Sequence, residues 1–98
     1  MSTPESLVKA KVRAALKTLP AVFQHWPVMN GMGAPILDCI ACVNGRYIAI
    51  ECKAKGKHPT PRQHMLIQQI LEAGGRAFVV DDEQSLNEVM DWIKKSCL

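Results

Sequence analysis

Three residues of this sequence have the types and spacing of a hydrolytic site. Glu51 lies thirteen residues after Asp38, and Lys53 follows Glu51 by two. In an extended strand Glu51 and Lys53 point to one face, whereas Cys52 points to the other. Two carboxylates can hold Mg²⁺, which polarises a scissile phosphate and lowers the pKa of a bound water. Because an ammonium group can stabilise charge on phosphate oxygens, the pattern indicates phosphodiester hydrolysis.

A turn between two apolar runs, 36–43 and 46–53, predicts that the two acids face each other. Asn44-Gly45 is a strong hairpin signal because a type I′ turn needs positive φ at both positions. A two-residue loop pairs residue 43 with 46 and, counted back along both strands, Asp38 with Glu51. The two would form a non-hydrogen-bonded pair with Cα atoms about 4.5 Å apart. Facing carboxylates repel each other. We therefore expect protonation of one acid, a neighbouring basic side chain or a bound cation to reduce this repulsion.

A helix is predicted to precede this hairpin, from Thr3-Pro4 to the residue before Pro20. Its core-facing positions recur at three- and four-residue spacing and are Leu7, Val8, Val12, Ala15, Leu16 and Leu19. Its outward positions are Lys9, Arg13 and Lys17. The proline- and glycine-containing stretch 20–35 predicts a loop that could include one short extended piece.

The chain after the hairpin predicts a helix, a strand and a final helix. Thr60-Pro61 opens the first of these helices, with Gln63 in a capping box, and Gly74-Gly75 ends it. Its core stripe is Leu66, Ile67, Ile70 and Leu71. The strand covers residues 76–80, and the last helix carries Leu86, Val89, Met90 and Ile93 toward the core.

The resulting order α-β-β-α-β-α, over one domain of residues 1–98, predicts an α/β fold. An antiparallel hairpin followed by a helical crossover to a third strand gives a small mixed β-sheet flanked by helices.

Composition limits the classes of protein that this chain can belong to. The 98 residues are 48% hydrophobic, which argues against a disordered tail, and no apolar stretch approaches the roughly 18–20 residues that cross a bilayer. The polar, helix-like start predicts no secretion signal, so we expect a cytoplasmic protein without membrane contact. Residues 1–62 hold nine of the 12 Lys and Arg residues but only three of the nine acids. This imbalance favours a polyanion partner.

Four cysteines in such a chain are expected to be reduced thiols. Cys39 and Cys42 match C-x-x-C, a pattern of zinc and redox sites. In a strand, however, residues three apart point to opposite faces. We therefore favour small buried hydrophobic residues over a metal or redox site.

The spacing of Asp38 and Glu51-Cys52-Lys53 resembles that of the PD-(D/E)xK nucleases. Within them the chain is most similar to the stand-alone virus-type replication-repair nuclease (VRR-NUC) domains, found largely in bacteriophages and prophages. The strings that support this resemblance are Gly33-Ala-Pro-Ile-Leu-Asp38, Asn44-Gly-Arg-Tyr-Ile-Ala-Ile-Glu-Cys-Lys53, Thr60-Pro-Arg-Gln63 and Ala73-Gly-Gly-Arg-Ala-Phe-Val-Val80. They span about residues 31–82. One departure is that Pro35 does not immediately precede Asp38, as it often does in the family.

The resemblance implies a restriction-endonuclease-like αββαβα core and a DNA endonuclease that depends on Mg²⁺ or Mn²⁺. It further implies a homodimer that can act on branched DNA such as four-way junctions, in the cytoplasm of a bacterial host and encoded by a phage or prophage. The implied metal ligands are Asp38, Glu51, the backbone carbonyl of Cys52, and Glu5. The implied catalytic residues are Asp38, Glu51, Lys53 and Gln63. For both Glu5 and Gln63 a purely structural role remains an alternative. Glu5 could be a first-turn acid stabilised by the helix dipole, and Gln63 could be a simple helix cap.

Basic residues beside the triplet are expected to bind DNA phosphates, which fixes position without reading sequence. They are Lys55, Lys57, His58 and Arg62. Trp26 could stack on a base, but packing is the simpler expectation, and His25 and His64 have weaker claims. Two rival functions stay open: the same fold holding DNA without cutting it, and a structural adaptor in which the acids merely pair with Lys53.

Overall fold

A computed structural model describes residues 3–28 and 33–98; the expectations for residues 1–2 and 29–32, including Gly31 of the loop, lie outside the described residues. The elements are α1 (Pro4–Lys17), β1 (Val22–His25), β2 (Cys39–Val43), β3 (Arg46–Cys52), α2 (Pro61–Glu72), β4 (Arg76–Val80) and α3 (Glu83–Ser96). The predicted α/β class is confirmed, and β1 is a short extended piece inside the predicted loop.

The four strands form one mixed sheet in the order β1-β2-β3-β4. The β1–β2 and β2–β3 pairs are antiparallel, and β4 runs parallel to β3. The hairpin has the predicted register, with Val43 opposite Arg46 and Cys39 opposite Ile50. Asn44 and Gly45 both have positive φ, 48° and 86°, as a type I′ turn requires.

Strand β2 is shorter than predicted, and its beginning defines the site. Cys39, rather than Ile36, is its first residue. The main-chain N–H of Asp38 donates to Oε1 of Glu51, and the N–H of Cys52 donates to Oδ2 of Asp38. Side-chain carboxylates therefore replace main-chain carbonyls at the point where the β2–β3 ladder stops.

The main core lies on one face of the sheet, beneath α1 and α3. Side chains of β3 at Ile48, Ile50 and Cys52 pack there with α1 and α3. All four predicted core positions of α3 are buried. Leu7 of α1, predicted to face the core, is instead 53% exposed, because it lies in the first turn, beyond the buried part of the helix.

Helix α2 covers the opposite face, where Gln63 meets Glu51. Its predicted core stripe is only partly covered: three of the residues are half-buried and Leu71 is exposed. The reason is that α2 lies at one side of the sheet, over β4, with Gln63 reaching Glu51 at the end of β3.

The cysteines are all free thiols. Cys39 is buried and Cys42 is exposed, so the two residues of the C-x-x-C pattern lie on opposite faces of β2, as predicted. The expectation that both are buried is wrong for Cys42. In the described part of the chain, no helix is both long and apolar enough to span a bilayer.

Candidate active site

Glu51 is the centre of a nearly buried polar cluster at the end of β3. It is 3% exposed. Its Oε1 accepts the main-chain N–H of Asp38 at 3.3 Å, and its Oε2 accepts Nε2 of Gln63 at 2.8 Å. Lys53 Nζ lies 3.5 Å from the same Oε2. The fold thus brings together the two acids, the lysine and the glutamine that the sequence singled out.

Asp38 enters this cluster from the residue immediately before β2. Its Oδ2 accepts the N–H of Cys52 at 2.8 Å, and its Oδ1 faces Lys9 Nζ at 3.4 Å. The side chain is 10% exposed. A main-chain donor and a cation therefore fix the Asp38 carboxylate beside Glu51.

The electrostatics of the pair disfavour two negative charges. The pKa of Glu51 is raised from 4.5 to about 7: burial and then the negative charge of Asp38 raise it, and the positive charge of Lys53 opposes them. A buried carboxylate next to another is stabilised by a proton or a cation. The site is therefore one that a divalent metal ion would neutralise.

Gln63 acts both as a helix cap and as a site residue. Its Oε1 accepts the N–H of Thr60, and its own N–H donates to Oγ1 of Thr60, which completes the predicted capping box. Because Oε1 is occupied by the cap, the amide group must present its Nε2 to Glu51. The two interpretations of this residue are thus compatible, and the cap orients the amide.

Lys53 and Cys52 are held by the strands on either side. The N–H of Lys53 donates to the carbonyl of Val80 at 2.9 Å, while its side chain, 13% exposed, turns to Glu51. Cys52 places its thiol in the core, where burial raises the thiol pKa. In a β-strand, the N–H and C=O of one residue point to the same neighbouring strand. Since the N–H of Cys52 reaches Asp38, its carbonyl is directed to the same side, as a backbone ligand would need.

Lys9 is the site residue that the sequence reasoning missed. It was expected to point outward from α1, yet its Nζ lies 3.4 Å from Oδ1 of Asp38 and 3.6 Å from Oε2 of Glu5. Glu5 and Lys9 are one helical turn apart, so their side chains are neighbours on one face. This four-residue spacing was the signal in the sequence that could have placed Lys9 near the site, because the resemblance implies that Glu5 is a metal ligand.

The donor set suits Mg²⁺ or Mn²⁺. Asp38 and Glu51 offer hard carboxylate oxygens, and Cys52 offers a carbonyl. Mg²⁺ is usually held by one or two carboxylates together with waters and substrate phosphates. Within residues 3–28 and 33–98, no three or more His, Cys, Asp or Glu side chains form a group that could hold a metal ion. Glu5, which the resemblance implies as a further ligand, lies beside Lys9.

The segment 54–60 between β3 and α2, called the basic connector, carries three exposed basic residues: Lys55, Lys57 and His58. Lys55 forms an ion pair with Asp82, and the N–H of Gly56 donates to Asp81 at 3.1 Å. The three remaining predicted phosphate contacts are all exposed; they are Lys57, His58 and Arg62.

The aromatic and histidine candidates have different surroundings. Trp26 packs against the core, with the guanidinium of Arg13 stacked 4.8 Å from its ring centroid, as the packing interpretation expects. His25 and His64 are exposed.

No protein-family model matches this sequence, and a search of curated proteins finds no match. Function is therefore inferred from the geometry and chemistry of the site.

Proposed function

We propose that this chain is a single-domain, Mg²⁺- or Mn²⁺-dependent DNA endonuclease of the PD-(D/E)xK type. The observation that carries the proposal is the pairing of two nearly buried carboxylates, Asp38 and Glu51, with the Lys53 ammonium 3.5 Å from one of them. Two adjacent acids cost stability unless a cation neutralises them, and phosphodiester hydrolysis uses such a cation.

Each residue of the cluster has a distinct role in this proposal. Asp38 and Glu51 bind the metal ion, with the Cys52 carbonyl as a third protein ligand. When bound, the ion supplies Lewis-acid activation of the phosphate and of a water molecule. Lys53 positions that water or stabilises charge on the phosphate oxygens. Gln63 acts as a positioning residue, because its capped amide fixes one oxygen of Glu51.

The basic connector that follows β3 supports a DNA substrate. Lys57 and His58 lie in the stretch that leads from Lys53 to α2, Arg62 lies in the first turn of α2, and all three are exposed. Cationic side chains here would hold phosphates beside the site and carry no base specificity. Lys55 can join them by exchanging Asp82 for a phosphate.

A homodimer acting on branched DNA is part of the same proposal. One domain of 98 residues has little surface with which to hold two DNA arms, and two copies would present two sites. We further propose that the protein works in the cytoplasm of a bacterial host, encoded by a phage or prophage.

A second candidate, a DNA-binding module that does not cut, is favoured by one observation. Lys53 pairs with Glu51, and Lys9 pairs with Asp38, so the fold supplies a cation to each acid by itself. In such a module the acids would be structural and a metal ion unnecessary.

Cleavage assays separate the two candidates. Purified protein is incubated with supercoiled plasmid and with a synthetic four-way junction, in Mg²⁺, Mn²⁺ or EDTA. We expect metal-dependent cleavage, and a fall of at least about 100-fold for Asp38→Asn, which removes a metal ligand, and for Lys53→Ala, which removes a group that acts on the water or the reacting phosphate. DNA binding and thermal unfolding should change little in both variants.

The matched control is Glu88→Gln, which removes an exposed acid from α3 and should leave cleavage unchanged. Absence of cleavage by folded wild-type protein on every DNA would contradict the nuclease and leave the binding module. Persistent cleavage by either site variant would show that the site is assigned wrongly. Sedimentation velocity measures the proposed dimer directly.

A further inference from the structure

We infer that Lys9 is an internal cation that a divalent metal ion must displace from Asp38. This inference rests on the proposed function, since it concerns the same site. It assigns to Lys9 control over how tightly the metal ion binds.

The four carboxylate oxygens of Asp38 and Glu51 differ in what holds them. Both oxygens of Glu51 accept N–H groups, one from the main chain of Asp38 and one from Gln63. Oδ2 of Asp38 accepts the main-chain N–H of Cys52. Oδ1 of Asp38 faces the ammonium of Lys9 at 3.4 Å, and a flexible side chain can leave more easily than a main-chain donor.

Helix α1 gives Lys9 a second acid to which it can retreat. Its Nζ lies 3.6 Å from Oε2 of Glu5, one turn earlier on the same helix. The Lys9 side chain is 36% exposed, whereas that of Asp38 is 10% exposed. Lys9 can therefore swing outward and keep the Glu5 contact, while Asp38 stays in place.

Two electrostatic effects of Lys9 act in the same direction. Its ion pair with Asp38 must break before the metal ion can use Oδ1, and its positive charge repels the metal ion at short range. Removing the charge while keeping the apolar stem should therefore tighten metal binding. A role as a mere anchor for Asp38 predicts the opposite result.

The test is isothermal titration calorimetry of Mn²⁺ into the wild type, Lys9→Met and Lys9→Arg, at pH 8. We expect Lys9→Met to bind Mn²⁺ about five- to tenfold more tightly, the effect of losing one partly buried ion pair and one nearby like charge. Lys9→Arg keeps the charge and should bind as the wild type does. Lys17→Met, an exposed lysine two turns further along α1, controls for the change in net charge.

A second readout comes from cleavage. The Mn²⁺ concentration that gives half-maximal cleavage should fall by the same factor in Lys9→Met. Suppose that the wild type binds Mn²⁺ and cleaves DNA, but Lys9→Met binds Mn²⁺ no more tightly than the wild type does. That result would overturn the role of Lys9 and leave the proposed nuclease activity intact. Cleavage that occurs in EDTA, or no Mn²⁺ binding by the wild type and by Lys9→Met, would overturn the metal site itself and this inference with it. Lys9→Gln repeats the test if Lys9→Met unfolds, as judged by circular dichroism.

Discussion

Replacing Glu51 with Gln should change how folding stability depends on pH. In the folded chain burial, and then the charge of Asp38, raise the pKa of Glu51 from 4.5 to about 7. A raised carboxyl pKa means that the folded state holds the proton more tightly than the unfolded state does. The contribution of Glu51 to stability is therefore fully present below pH 4.5 and is lost as the pH rises through about 7.

The magnitude follows from the two pKa values. Each pKa unit corresponds to about 1.4 kcal/mol, so ionisation of Glu51 in the fold costs at most about 3 kcal/mol by pH 8. Gln has the size of the protonated acid and cannot ionise. Near pH 4.5 the variant and the wild type should agree within about 1 kcal/mol; at pH 8 the variant should be more stable by up to about 3 kcal/mol.

The assay is urea unfolding in EDTA at pH 5, 6, 7 and 8, followed by the combined fluorescence of Trp26 and Trp92, which both pack against the core. The variant-minus-wild-type difference removes the contributions of other groups. Asp82, for example, has a pKa lowered by hydrogen bonds from Lys55 and Ser85, so its contribution is lost only as the pH falls below the ordinary range of an aspartate. Glu88→Gln is the matched control.

A difference that stays constant from pH 5 to 8 would refute this reasoning, because it would mean that Glu51 ionises as readily in the fold as in the unfolded chain. Adding Mg²⁺ at pH 8 gives a further check. It should raise the stability of the wild type, which presents two carboxylates, more than that of Glu51→Gln.

Two further predictions concern packing and DNA affinity. Gly75→Ala should lower the free energy of unfolding by about 1–2 kcal/mol, because the new Cβ would lie 3.0 Å from side-chain atoms of Ile70 and Tyr47; an unchanged urea midpoint would contradict the contact. Duplex binding by Asp38→Asn in EDTA should weaken about 40-fold between 50 and 200 mM salt if three phosphates are contacted. Fluorescence anisotropy measures this affinity. An affinity that does not change with salt would contradict the proposal that the basic connector binds DNA phosphates.

Local signals predicted the parts of the fold that depend on neighbouring residues. Asn44-Gly45 determines both the turn and the register, because a two-residue loop leaves one way to pair the strands. Thr60 and Gln63 are close enough in the chain to form the reciprocal hydrogen bonds of the capping box at the start of α2. Strand β1 had a weaker signal, since it has four residues at a sheet edge and pairs on one side only.

Part of the site depended on contacts that spacing does not encode. The Lys9–Asp38 and Lys55–Asp82 pairs join residues that are far apart in the chain. Helical periodicity showed that Lys9 lies off the apolar stripe of α1, but not that this side of the helix meets the end of the β2–β3 ladder.

The sequence by itself determined that Asp38, Glu51 and Lys53 would meet, because a hairpin register is a local property of the turn and of the alternation along two strands. Tertiary structure decided what surrounds them. Packing of α1 on one face of the sheet and α2 on the other brings Lys9 to Asp38 and Gln63 to Glu51, and the resulting burial raises the pKa of Glu51. Desolvation and long-range ion pairing depend on how whole elements pack, which no short stretch of sequence specifies.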